Sequence, residues 1–510
     1  PVTKSIKLYA KWTVNDSEVL NLIDEDIQAL DIDDLSDTQT KIPLPRIGTV
    51  NQSLISWASH HKEVILDSGI ILNPKVGESP VTVKLTATLT LMNVTKSVDF
   101  EVVVPPKGDI SIGYKTDKTF SNLTSEYLVE DALLTSFYAP NGSLPYVDIQ
   151  SFLTLLDGLV MVEELEFVLS GHTMTISYII TEDITNDLNQ IIETISTDYV
   201  MFIDFEANTI EVNELSFFDG YIKETQTEYG EGITYLDPYF EKGESVTFDL
   251  NHYRMDLVIH EDEDDTYYLF PFHLANLLFL SGTYYNVYYN GNGYYGIYGI
   301  PSASSEGESL TMYQTIKTSS FNNTDIPSDI LVASYDLLVF SLNYFYGLKE
   351  ELGIEDYYHQ FGSYRDVLLS GHARDFSSGL FRFINRSIDD LHTSFAFPGY
   401  YNDLSYTLQL TSLAQLGTRV RAWYDVYFEV SALRDQTFPN GTPNYRMIDQ
   451  NRTLIIYLDS FDTATVDNPE GADSDRFMRE TLTDAFSKYS NIQNIVVDLS
   501  NNTGGNLGAL

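Results

Sequence analysis

The chain has 510 residues, with 74 acidic side chains against 29 basic ones and a formal net charge of −45. Such a field repels phosphate backbones and anionic membrane surfaces, so nucleic acid is excluded as an expected partner and cationic partners or weakly held divalent ions are favoured. The absence of cysteine removes disulfides, thiolate catalysis and Cys-ligated zinc, while 43% hydrophobic and 13% aromatic content excludes a disordered chain.

At this length about three to five domains are expected. The opening stretch Ile6-Lys-Leu-Tyr-Ala-Lys-Trp-Thr13 alternates as a strand. It resembles the last strand of an internalin-type B repeat, which makes residues 1–14 the expected end of one. From 15 to 107 the pattern is that of short strands divided by turn residues. Val81, Val83, Leu85, Ala87 and Leu89 alternate with polar partners, giving one buried face. Ile42-Pro-Leu-Pro45, Ile55-Ser-Trp-Ala-Ser59, Gly69-Ile-Ile-Leu-Asn-Pro74 and the strand from Val98 to Val104 complete it. These residues resemble the atrophied bacterial Ig-like module of secreted multidomain enzymes. The resemblance implies a β-sandwich acting as a spacer or adhesive element, with Trp57 in its core. Pro105-Pro-Lys-Gly108 reads as a stiff linker between independent cores.

Residues 110–300 read as a mixed α/β middle domain. Leu144 to Leu156 and Tyr268 to Phe279 each run from a strand through a polar or proline step into a short amphipathic helix. The pair loosely resembles the β-α-β stalk units of copper-amine-oxidase-type N-terminal domains, which implies packing and anchoring. Asn290-Gly-Asn-Gly293 is a hairpin signal flanked by tyrosines from Tyr284 to Tyr298. Those rings read either as an aromatic carbohydrate or peptide platform or, more plainly, as a hairpin packed on its neighbours. The acidic run from Glu261 to Asp265 lacks the loop order of a Ca²⁺ site and reads as a solvated loop. Adjacent His60 and His61 point to opposite faces of a strand and make a poor chelator.

Ser302 to Pro327 reads as a polar linker. A helical subdomain is expected over 325–399, with Ser328 as N-cap, an apolar stripe through Leu331, Tyr335, Leu338, Leu342 and Phe345, and a second helix over Ser377 to Ile388. No stretch reaches the roughly 18 uncharged apolar residues of a membrane span. From 400 to 510 the reading is strands at Arg421 to Val430 and Leu454 to Leu458, then an amphipathic helix from Asp475 to Tyr489. A buried strand follows at Ile495 to Val497.

The chemistry gathers at the end. Asp498 to Gly505 is a polar turn closed by a glycine pair that can take φ > 0 and present bare N–H groups at a sheet edge. Its glycines lack the G-x-G-x-x-G order and any Gly-Lys-Ser/Thr, so nucleotide binding fails on spacing. Asp498-Leu-Ser-Asn-Asn-Thr-Gly-Gly505 resembles the Asp-Leu-Arg-Asn-Asn-x-Gly-Gly signature of the S41 serine peptidases, the tricorn-core and C-terminal-processing-peptidase family. Ser500 stands where that family usually has Arg. Two earlier stretches fall in the family's order: Asp389-Asp-Leu-His-Thr-Ser-Phe-Ala-Phe397 and Thr453-Leu-Ile-Ile-Tyr-Leu-Asp-Ser-Phe461.

The resemblance implies an incomplete α/β peptidase core over 400–510, with Gly504 and Gly505 as oxyanion donors and a nucleophilic serine beyond Leu510. His392 has the pKa range of a general base. In this sequence it reads as that base, as a substrate-positioning group or as a helix cap. The processing-peptidase branch uses a later Lys instead. The expected fold is therefore multidomain α+β: an Ig-like β-sandwich, a mixed middle domain, a helical subdomain and the truncated core. The expected function is an exported bacterial serine endopeptidase, extracellular or at the cell surface, taking protein or peptide substrates and needing no cofactor or metal. The alternative is a non-catalytic adhesion or peptide-binding protein on an S41-like shell.

Overall fold

Alternation in the first module produces what the pattern dictates. The strand Val81–Leu91 pairs antiparallel with both Leu54–Ser59 and Val94–Val104, and Val83, Leu85, Ala87 and Leu89 are buried. The computed structural model describes residues 15–185, 191–223, 243–263, 265–464 and 470–506. The repeat expected at 1–14 lies outside them.

A second sheet does not cover this three-stranded one among the described residues. The helix Asp16–Gln28 does so instead, placing Val19 and Ile23 against Ile55, Ala87 and Leu89. The strand-only expectation missed it because its apolar residues are sparse, and its start is set by capping. Asn15 accepts a hydrogen bond from the Ser17 N–H, and Asp16 and Glu18 lie in the first turn. Buried Asp26 accepts from the N–H groups of Val50, Asn51 and Ser53, tying the following turn to the helix. Trp57 is partly buried against Phe100 and donates its indole N–H to the Pro45 carbonyl.

The described residues form two units. One holds residues up to 223, 243–381 and 396–408; the other holds 382–395 and 409–506. In the first, two larger sheets follow the Ig-like module. Five antiparallel strands run from Val246–Asp249 at one edge to Glu166–Ser170 at the other. A seven-stranded sheet includes both strand-to-helix segments. Tyr146–Asp148 leads into the helix Ile149–Leu155, Thr266–Pro271 leads into Phe272–Leu280, and the two strands pair antiparallel. The hairpin Tyr285–Tyr289 and Tyr294–Tyr298 closes that sheet's edge, with Tyr285 and Tyr294 fully buried.

Three expectations need correction here. The supposed linker 302–327 contains the helix Gly307–Lys317, which buries Tyr313 and Ile316. Its polar composition hid a short apolar face. Lys317 is buried as well; its ammonium donates to the Pro398 and Gly399 carbonyls, and burial lowers its pKa to about 8. Ser328 is the first helical residue of Ser328–Phe345 rather than its cap, since Pro327 occupies that position. The helix buries Leu331, Val332, Tyr335, Asp336, Val339 and Phe340, so its inner face is rotated from the expected stripe and leaves Phe345 exposed. The third correction concerns 105–108: the buried clusters lie on separate sides of it, but it is not a free linker. Lys107 forms an ion pair with buried Asp256, and Lys75 Nζ lies 2.6 Å from His252 Nδ1. His252 Nε2 in turn lies 2.9 Å from Asp356 Oδ2.

In the second unit the strand Thr453–Tyr457 pairs antiparallel with Tyr445–Ile448 and parallel with Asn494–Asp498. The helix Ser474–Lys488 makes the crossover between the parallel strands, close to the expected span. Leu454, Ile456 and Ala485 form the buried core beneath it. Two expectations fail in this unit. Ile495, Val496 and Val497 are 48%, 45% and 40% exposed, so neither face of their strand, which is an edge of the sheet among the described residues, is fully covered. Residues 421–430 are not a strand; they lie inside the helix Thr418–Thr437. Their period-2 hydrophobicity is outweighed by aromatic pairs at i, i+4. Trp423 stacks on Tyr427 at 5.2 Å and Tyr424 on Phe428 at 5.8 Å.

Candidate functional site

The parallel strands end side by side, and the turn after each is stitched to the other. The Phe461 N–H donates to the Gly504 carbonyl at 2.9 Å, and the Asn506 N–H donates to the Phe461 carbonyl at 2.7 Å. Asn502 Nδ2 donates to the Leu458 carbonyl at 3.0 Å, and the Thr503 N–H donates to the Asp459 carbonyl at 3.3 Å. This extends the ladder beyond the strands and fixes the glycine pair at the carboxyl edge of the sheet.

The two glycines are not equivalent. Gly504, at φ +103°, has its N–H satisfied by Asn502 Oδ1 at 2.8 Å, so it is not a bare donor. Gly505 lies at φ +148°, and a Cβ there would sit 1.9 Å from the Phe461 carbonyl oxygen. Only glycine fits that approach. Its N–H has no acceptor among the described residues and faces an exposed surface. Of the two expected donors, Gly505 alone keeps a free N–H.

Sequence reasoning missed the group that organises this edge. Arg434, on the helix Thr418–Thr437, reaches across to three residues at and just beyond the ends of the two parallel strands. It pairs with Asp459 and Asp498 and donates to Ser500 Oγ at 3.0 Å. Its guanidinium lies 5.0 Å from the Tyr457 ring centroid. Burial disfavours the Asp498 carboxylate, but hydrogen bonds from the Ser500 hydroxyl and N–H, with Arg434 beside it, hold its pKa below the usual range. Asn501 Nδ2 adds a bond to Ser431 Oγ on the same helix. The signal was present: Arg434 follows Val420 by about four helical turns, and these are the helix's two buried residues. Reading 421–430 as a strand erased it.

His392 sits apart from this edge in its contacts. Its side chain is 94% exposed, with Nδ1 3.7 Å from Asp390 Oδ1. Asp390 accepts from the His392 N–H at 3.2 Å and from the Thr393 hydroxyl at 2.8 Å. Although burial works against its ionised form, these bonds keep the Asp390 pKa low. No hydrogen bond joins His392 to Gly504 or Gly505 among the described residues. The cap assignment passes to Asp389. Its carboxylate accepts from the Arg419 and Val420 N–H groups, and Arg419 answers by donating to the Ile388 and Asp389 carbonyls. A Cβ on Gly417 would meet that carboxylate at 2.1 Å, so glycine at 417 makes room for the cap.

A cavity of about 440 Å³ opens at the carboxyl end of Thr453–Tyr457, where open α/β sheets place their ligands. Asp459, Ser460 and Asp462 line it and flank Phe461, the residue against which Gly505 packs. Ser474, at the start of the crossover helix, accepts from the Asp462 N–H. Among the described residues no group of three or more His, Asp or Glu side chains converges to hold a metal ion.

A family model described as the atrophied bacterial Ig domain matches residues 23–107. No curated protein matches the chain. The Ig-like module is therefore supported by family as well as by its sheet.

Proposed function

We propose that residues 382–395 and 409–506 form part of the core of an S41-type serine endopeptidase, with the nucleophilic serine on a segment other than residues 1–510. Gly505 carries this reading. Its unspent N–H stands at the carboxyl end of a parallel strand pair, in a turn clamped by Arg434 and by the ladder to Phe461. A fixed donor of that kind, aimed at a developing oxyanion, is worth about 2.7–4 kcal/mol of barrier. His392 is the proposed base. Asp390 stands beside Nδ1, and Nε2 is left to face a nucleophile brought by another segment. The acidic lining at Asp462, Asp473 and Glu480 suits a basic side chain of a protein or peptide substrate. The Ig-like module supports an extracellular or cell-surface setting in a bacterium. No helix among the described residues is long and apolar enough to cross a membrane.

A peptidase assay on the complete gene product tests the assignment. His392→Ala should lower kcat by about 10²–10⁴-fold with little change in KM. Unchanged kcat per folded molecule would remove His392 as base and leave the Ser-Lys mechanism. The second reading, a non-catalytic adhesion or peptide-binding protein, is favoured by the exposure of His392 and by the internal bond that occupies the Gly504 N–H. Under that reading the complete product hydrolyses no peptide.

A further inference from the structure

A second cleft, of about 180 Å³, lies wholly within the larger unit, and aromatic rings make up half of its twelve lining residues. Tyr114 and Tyr138 stack at 4.9 Å with planes 12° apart, and Tyr400 and Tyr401 stack at 4.5 Å. Tyr289, from the Tyr-rich hairpin, lines the cleft with them, and Phe321 lies 39% exposed among the lining residues. Phe321 packs where a Cβ on Gly291 would lie 2.5 Å from its ring, so the hairpin glycine makes its seat possible.

Polar groups tip these rings. The Tyr138 and Tyr289 hydroxyls lie 3.2 Å apart, and Tyr114 donates to the Gly142 carbonyl at 3.1 Å. Lys118 Nζ donates to the Gly291 carbonyl at 3.3 Å. Tyr401 is only 6% exposed; its hydroxyl accepts from Tyr400, and its own proton has no acceptor among the described residues. A buried hydroxyl with an unused donor costs stability unless something meets it.

Ring faces with a few convergent polar atoms form the lining expected of a small-molecule site. The ammonium of Lys118 in the wall opposes a cationic guest, which removes the aromatic-cage reading. The volume is short for an extended proline-rich segment, which advances about 3.1 Å per residue. A pyranose whose hydroxyls are all equatorial presents flat C–H faces to aromatic rings and a rim of donors and acceptors to phenols and an ammonium. We propose that this cleft binds one glucopyranose-type ring of a saccharide, independently of any peptidase chemistry.

Calorimetric titration of the 510-residue chain with cellotriose, chitotriose and hexaproline tests this. At least one trisaccharide should bind, and Tyr114→Ala and Phe321→Ala should each weaken it about ten-fold, the scale of a lost aromatic contact. Both side chains are substantially exposed, and unchanged melting would show that the variants fold. Lys118→Met should weaken the same sugar. Tyr284→Ala, on the hairpin but outside the cleft, should leave it unchanged. Failure of both sugars to bind, equal affinity in all variants, or binding of hexaproline alone would overturn the proposal.

Discussion

Arg434 Nη2 lies 3.2 Å from Asp498 Oδ1, and the arginine side chain is only 7% exposed. A helix is thereby bolted to the last residue of the parallel edge strand, immediately before the turn that carries Gly505. The same guanidinium holds Asp459 beyond the neighbouring strand. One buried cation thus sets the spacing of two turns whose mutual hydrogen bonds shape the proposed oxyanion site.

Arg434→Met should therefore destabilise this unit by about 1.5–3 kcal/mol, the range for losing a hydrogen bond to a charged group, because the carboxylates left behind still reach water. Asp459→Asn should cost less, because that carboxylate is half exposed. Denaturant melts of the two variants check the order. Equal, negligible effects would show that the turn is held by its backbone ladder alone.

The glycine pair separates steric from conformational cost. Gly504→Ala meets no neighbouring atom and should lose about 1–2 kcal/mol through its left-handed backbone. Gly505→Ala adds a collision with the Phe461 carbonyl and should cost distinctly more. Thermal melting of both variants distinguishes these terms, and a Gly505→Ala protein as stable as Gly504→Ala would contradict the close approach.

Docking of the Ig-like module is expected to matter for the rest of the larger unit. Burial raises the Asp256 pKa and Lys107 opposes that rise, so Lys107→Met leaves a carboxyl stranded. The expected loss is about 3 kcal/mol. Deleting residues 1–107 should lower the melting temperature of what remains, whereas an unchanged melt would return 105–108 to the role of a free linker.

His273 gives a pH dependence with a definite sign. Both ring nitrogens are closed off from water without partners among the described residues, and burial lowers the pKa from 6.5 to about 4. The unfolded chain binds more protons between those values, so this contribution is complete above about pH 6.5 and is lost as pH falls toward 4. The difference in stability between wild type and His273→Leu, measured from pH 4 to 7, should shrink or reverse at the acid end. A difference independent of pH would mean that the ring titrates normally.

Much of the frame was legible from periodicity. The strand at 81–91, both strand-to-helix segments, the Asn-Gly hairpin and the crossover helix before the last strand follow from alternation, turn chemistry and capping. What was lost depended on tertiary partners. The helix Thr418–Thr437 exposes Trp423 and Phe428 and buries only Val420 and Arg434, so its inward face carries no apolar stripe to read. Its N-terminal N–H groups are satisfied by Asp389, some thirty positions earlier, where no local motif points to a cap. The exposure of Ile495 to Val497 is likewise a property of what covers the strand's faces, which β-branched composition does not reveal. In the site, the need for glycine at 505 was readable, but the capture of the Gly504 N–H by Asn502 was not.

The central claim is that residues 1–510 supply the oxyanion donor and the base while another segment supplies the serine. A fluorophosphonate probe, with the adduct mapped by mass spectrometry, tests it directly. The complete gene product should carry one adduct on a serine outside residues 1–510, lost in His392→Ala, and the 510-residue chain alone should carry none. An adduct on any serine within residues 1–510 would contradict the account, and so would a folded complete product that takes up no probe.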